Sequence, residues 1–141
     1  MELEQIAFPA LLRAARATFG AAIREALTEI GCDDLPRNGA FVLGALVREG
    51  APLADVIAHL HLSKQAAGAL VDTLVNRHYL ERTVDPDDRR RLRVALTPRG
   101  AETARVIRQA SDDVEAELVA RVGADYVAHT RATLAALIAT G

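Results

Sequence analysis

The sequence predicts a mainly α-helical fold that carries one small β-hairpin and has long helices at both ends. Three observations lead to it. Apolar residues recur at three- and four-residue steps over two long segments, around 8–30 and 106–122. Half of the 141 residues are apolar, yet only Phe8, Phe19, Phe41, Tyr79 and Tyr126 are aromatic, so the core is built from Ala, Leu, Val and Ile, a composition that favours helices. From Tyr79 the period changes from helical to two, and the change brackets the polar stretch DPDDRR.

A chain of 141 residues makes one domain with a proper core. Nowhere do eighteen apolar residues run together, and the opening MELEQIAFPALLRAARATF carries acids and arginines where a signal peptide has an apolar run. The expectation is a soluble, cytoplasmic protein that does not engage a membrane.

In order along the chain, Phe8, Leu12, Ala15, Phe19, Ile23, Leu27 and Ile30 share one face of a first helix ending near Gly31. CDDLPRNG is a polar break, after which Phe41 to Glu49 reads as a second helix closed by Gly50. A short third helix follows Pro52 and runs to about Leu60. Ser63 then offers a capping hydroxyl to a helix continuing to about Arg77, with Leu70 and Leu74 inward and Lys64, Gln65, Gly68, Thr73 and Asn76 outward.

Two strands, Tyr79 to Val84 and Leu92 to Leu96, form a hairpin whose turn chemistry comes from Pro86 and its flanking aspartates. Thr97 caps the next helix and Pro98 opens it, where a missing N–H costs nothing. Val106, Ala110, Val114, Leu118 and Val122 line that helix, which at 1.5 Å per residue is roughly 37 Å long. A last helix after Gly123 places Tyr126, Thr130, Leu134, Leu137 and Ile138 on one side. These end helices outrun the small middle section, so their stripes need a second copy of the chain.

Helix, tight turn, capped helix and hairpin is the order of a winged helix-turn-helix, in which a helix fits the major groove of DNA and a thin hairpin reaches the neighbouring minor groove. Charge agrees with that order. Leu60 to Gly100 carries a net +3, while the rest of the chain carries −5. At the hairpin tip, Asp88 can hold the Arg90 guanidinium in a fork and aim it into the minor groove, with Arg89, Arg91 and Arg93 nearer the phosphates. On the capped helix, Lys64 and Gln65 are placed to read base edges and Ser63 to cap and touch phosphate; the small Ala66, Ala67 and Gly68 mean either close approach to DNA or tight packing, and Ala69 and Thr73 belong to the same DNA-facing helix.

At DPDDRRRLRVALTPRG, Asp85 to Gly100, the sequence resembles the MarR family of bacterial transcription regulators: Asp-Pro, then Asp-Arg-Arg, then Leu-Thr and Gly. LHLSKQAAGALVDTLVNRHYLERTV, Leu60 to Val84, looks like that family's recognition helix and first wing strand. The resemblance implies a homodimeric, sequence-specific double-stranded-DNA-binding regulator. It also implies a near-palindromic operator, repression often released by a small-molecule effector, and an Asp88–Arg90 pair in the wing. It divides the single domain 1–141 into a helical dimerisation region, 1–34 and 98–141, and a DNA-binding region, 35–97. The chain departs from the family pattern where His61 and His78 stand in place of glycine, and Ala54 in place of a Ser or Thr cap.

Other functions find less support. A winged-helix module for protein contacts, with its arginines on an acidic partner, stays open as an alternative. Cys32 is the lone cysteine, which excludes an intrachain disulfide. It is the one candidate for a thiol redox sensor, but Asp33 and Asp34 beside it disfavour a reactive thiolate. His59 and His61 point apart on a helix and lack ligand partners, so no metal site and no cofactor is expected. No nucleophile with a base partner and no glycine-rich phosphate loop appears, so an enzyme is not expected.

Overall fold

The structure, a computed structural model, describes residues 2–46 and 50–141. After a 3-10 turn at Leu3–Gln5 come α1 (Phe8–Glu29), α2 (Gly39–Ala45), β1 (Ala51–Pro52), α3 (Leu53–His59) and α4 (Lys64–Asn76). The strands β2 (Leu80–Val84) and β3 (Leu92–Leu96) follow, then α5 (Pro98–Val122) and α6 (Ala124–Thr140). This is the mainly helical winged helix-turn-helix that the sequence predicts.

The hairpin register pairs Leu80 with Leu96 and Val84 with Leu92, leaving 85–91 as the wing loop. The sheet has three strands rather than two. β1 pairs antiparallel with β3, Ala51 opposite Val94, giving the order β1-β3-β2. Two residues show no alternation, so this strand exists only because β3 offers it a free edge. Gly50 makes the approach possible: it adopts φ 81°, and a Cβ there would overlap the Val94 carbonyl oxygen.

The second helix also differs from expectation. It begins at Gly39, after Asn38 in the left-handed region at φ 67°, and ends at Ala45 with Leu46 extended. The part expected over Val47–Glu49 lies outside the described residues.

The chain divides into two compact units, 23–108 and a second made of 1–22 with 109–141. The core belongs to the first. Tyr79, Leu43, Leu74, Leu80, Val71 and Val94 are fully buried there, joining α2, α4 and the sheet in one cluster with Ala104 and Ile107 of α5. Leu27, at the end of the α1 stripe, is buried in the same cluster.

In the other unit the predicted apolar faces are only partly covered. Phe8 is 56% exposed, Leu118 39%, Val122 46% and Ile138 74%. Along the α5 stripe burial fades from Val106 and Ala110, both buried, to Leu118 and Val122, both exposed.

Candidate nucleic-acid interface

The helix that would read DNA is built by its cap. Ser63 accepts a hydrogen bond at Oγ from the Ala66 amide at 3.1 Å, satisfying one of the free N–H groups of the first turn of α4. Ahead of it, His61 adopts φ 51° in the tight turn after α3, and His78 adopts φ 64° after α4. Histidine is one of the residues that the left-handed region tolerates.

Ala67, Leu70, Val71 and Leu74 form the buried side of α4. Lys64, Gln65, Ala66, Ala69, Asp72 and Asn76 are exposed, and Gly68 and Thr73 half-buried. Thr73 turns its hydroxyl back to the Ala69 carbonyl at 2.9 Å. The small residues separate into two roles. Ala67 packs inward with no exposure, whereas a Cβ added at Gly68 would meet nothing within 4 Å. Packing inside the chain therefore requires Ala67 to be small but makes no such demand at Gly68.

The wing loop is shaped by two aspartates. Asp85, 6% exposed, accepts from the Asp87 amide at 2.9 Å across Pro86, while its own amide donates to the Arg91 carbonyl at 2.9 Å. Asp88 repeats the motif one step on, accepting from the Arg90 amide at 3.0 Å. Its carboxylate also lies 3.5 Å from Arg90 Nε, and the Arg90 side chain is 94% exposed. The structure thus brings Asp88 and Arg90 together at the apex, with Arg89 exposed beside them.

Arg91 and Arg93 are placed differently from Arg89 and Arg90. Arg91 lies 3.9 Å from Asp55 of α3. Arg93, with 27% of its side chain exposed, sits 3.8 Å from the buried Asp85 carboxylate and donates to the Gly50 carbonyl at 3.3 Å. Both hold the wing against the rest of its unit, a job that sequence proximity to the tip does not reveal.

Behind α4 lies a cluster that the sequence does not disclose. The Tyr79 hydroxyl donates to Asp34 Oδ1, and its oxygen faces Arg99 Nη2 at 2.9 Å and Cys32 Sγ at 3.1 Å. The Arg99 guanidinium lies 4.2 Å over the Tyr79 ring and reaches Asp34 at 3.2 Å, while Arg77 donates to the Asp34 carbonyl. The hydrogen bond from Tyr79 and then the charge of Arg99 hold the Asp34 carboxyl below its ordinary value of 3.8. Burial, followed by the bonds to Asp34 and Cys32, pushes the Tyr79 hydroxyl well above the ordinary tyrosine value. With the tyrosine hydroxyl donating to Asp34, the Cys32 thiol is left as the donor to the tyrosine oxygen.

Among the described residues, no group of three or more His, Cys, Asp or Glu is placed to hold a metal ion, and no helix is long and apolar enough to cross a membrane.

Residues 33–91 match the model of the MarR family. Nearly all of the chain superposes on solved structures of MepR from S. aureus. The structure of MepR in its DNA-binding conformation gives a TM-score of 0.77 at 19% identity, covering 96% of this chain and 98% of that one. The MepR–DNA complex gives 0.73 at 18% identity over 97% and 100%. MepR bound to ethidium bromide gives 0.60 at 19% over 97% and 98%. No curated protein matches the chain by sequence.

Proposed function

We propose that this chain, whose residues 33–91 match the model of the MarR family, is a sequence-specific double-stranded-DNA-binding transcription regulator, acting as a cytoplasmic homodimer that represses until a small molecule releases it. The observation that carries the reading is the pairing of two reading elements in one unit: a capped helix with a polar, small-residue outer face, and beside it a wing whose exposed apex holds Asp88 on Arg90. Lys64, Gln65, Ala66, Gly68, Ala69 and Thr73 face the major groove in this reading, and Ser63 serves the cap and a phosphate. Arg90 enters the minor groove with Arg89 near the backbone, while Arg91 and Arg93 set the attitude of the wing.

The similar structures support the two partners. One is MepR on DNA and another is MepR with ethidium bromide, which favours duplex DNA and a small organic effector here as well. The exposed apolar faces of 1–22 and 109–141 support the homodimer. The protein works by binding and dissociation, not catalysis.

Gel shifts of the intact protein on DNA from upstream of its own gene test the proposal. A specific, salt-sensitive shift on a near-palindromic site is expected, with half-sites about one turn, roughly 34 Å, apart. A folded protein that shifts no such DNA at moderate salt defeats it.

A further inference from the structure

We propose that Arg82, aimed by Asp72, grips the sugar–phosphate strand that runs between the two grooves, an inference that rests on the DNA-binding reading above. Arg82 stands in the middle of β2, directly opposite Val94 in the ladder. Opposed residues of an antiparallel pair share a face, and Val94 is fully buried, so the Arg82 stem leaves the sheet on its core side. Its head emerges at the flank of α4, where Nη2 donates to Asp72 Oδ1.

Asp72 is the one acid of α4, and it lies in the exposed row with Gln65, Ala69 and Asn76 at helical spacing. A lone carboxylate there would repel a polyanion; the pair removes that charge. Stability gives little reason for the pair, because its side chains are 37% and 60% exposed and such surface pairs contribute little.

Position supplies a better reason. When a helix occupies the major groove and a hairpin the adjacent minor groove, the strand dividing the grooves passes between them. Arg82 sits on the hairpin's first strand, against the helix, facing that gap. Asp72 takes one guanidinium N–H and fixes the plane of the fork, leaving further donors for phosphate oxygens with less side-chain freedom to lose. Asp88 and Arg90 repeat the device at the apex, so the wing carries one aspartate-aimed arginine at its tip and one on its first strand.

The test uses the full chain and the duplex that the wild-type protein selects from a random-sequence library, titrated between about 50 and 200 mM salt. Arg82→Gln is expected to weaken binding roughly eightfold at about 0.1 M salt and to lower the salt slope by about one, the yield of a single phosphate contact, with base preferences unchanged. The loss is expected to persist in an Asp72→Asn background. Arg82→Lys, which keeps the charge without the fork, should keep the slope and lose part of the affinity.

Unchanged binding by Arg82→Gln overturns the inference. So does a loss that vanishes beside Asp72→Asn, since Arg82 then only cancels its partner's charge. Should Arg82→Gln not fold, Arg82→Lys decides, and wild-type affinity for it is fatal. A wild-type protein that selects no duplex defeats the DNA-binding reading itself, whereas selection with an inert Arg82 defeats this inference alone.

Discussion

Four neighbouring arginines of the wing divide into two kinds once their partners are known. Arg90 is almost free and held by Asp88, whereas Arg93 is drawn inward to Asp85 and the Gly50 carbonyl. Arg90→Ala is expected to weaken operator binding and blunt A/T preference at the wing contact while leaving the melting temperature unchanged. Arg93→Ala should act the other way round, destabilising by about 1–2 kcal/mol because it strips a partner from a buried carboxylate; equal melting temperatures for both variants would contradict the division. Asp34 gives a pH signature. Its carboxyl is held low in the folded state, so its contribution is present above the ordinary value of 3.8 and is lost as pH falls through the lower folded value. Asp34→Asn should therefore lower the urea midpoint at neutral pH, and its gap from wild type should narrow on the acid side of 3.8.

Among the elements, α4 is the most legible from sequence, because its signals are local: a serine cap, apolar spacing at Leu70 and Leu74, and a polar outer face. The wing is legible for the same reason, since Asp-Pro-Asp-Asp writes its own turn through side-chain bonds to amides two residues on. β1 is not, being two residues long and defined only by its register on β3. Gly68 offers a test at this scale. With open space around its missing Cβ, Gly68→Ala should stabilise the protein by about 0.5–1 kcal/mol through helix propensity. If the backbone of α4 approaches DNA at this point, the same variant should bind more weakly. Thermal melts and anisotropy on one preparation separate the effects, and tighter binding with higher stability would remove Gly68 from the interface.

For the whole molecule, the periodicity of the end helices identifies their apolar faces but not what covers them. In 1–22 and 109–141 Val127 and Ala110 are buried, yet Phe8, Tyr126, Leu137 and Ile138 remain open, more apolar surface than a lone helical unit leaves uncovered without a partner. The proposed dimer makes a direct prediction. Light scattering should give twice the chain mass for the wild type, and Leu137→Glu with Ile138→Glu should give the monomer and a large loss of operator affinity. A wild-type monomer that still binds a near-palindromic site with full affinity would refute it.

The sequence by itself determined the order of the helices and the hairpin, the capped helix, the wing loop and its Asp88–Arg90 pair, because each depends on residues a few positions apart. Only the tertiary structure decided which charges meet across the fold. Asp72 and Arg82, Arg93 and Gly50, and Asp34 with Tyr79 and Arg99 are separated by 10 to 65 residues. Their meeting depends on strand register and on the packing of α4, which no local pattern encodes. The same distinction explains the wing arginines: adjacency in sequence makes them look alike, but the closing of the loop leaves Arg90 in solvent and brings Arg93 to the buried Asp85 carboxylate and the Gly50 carbonyl.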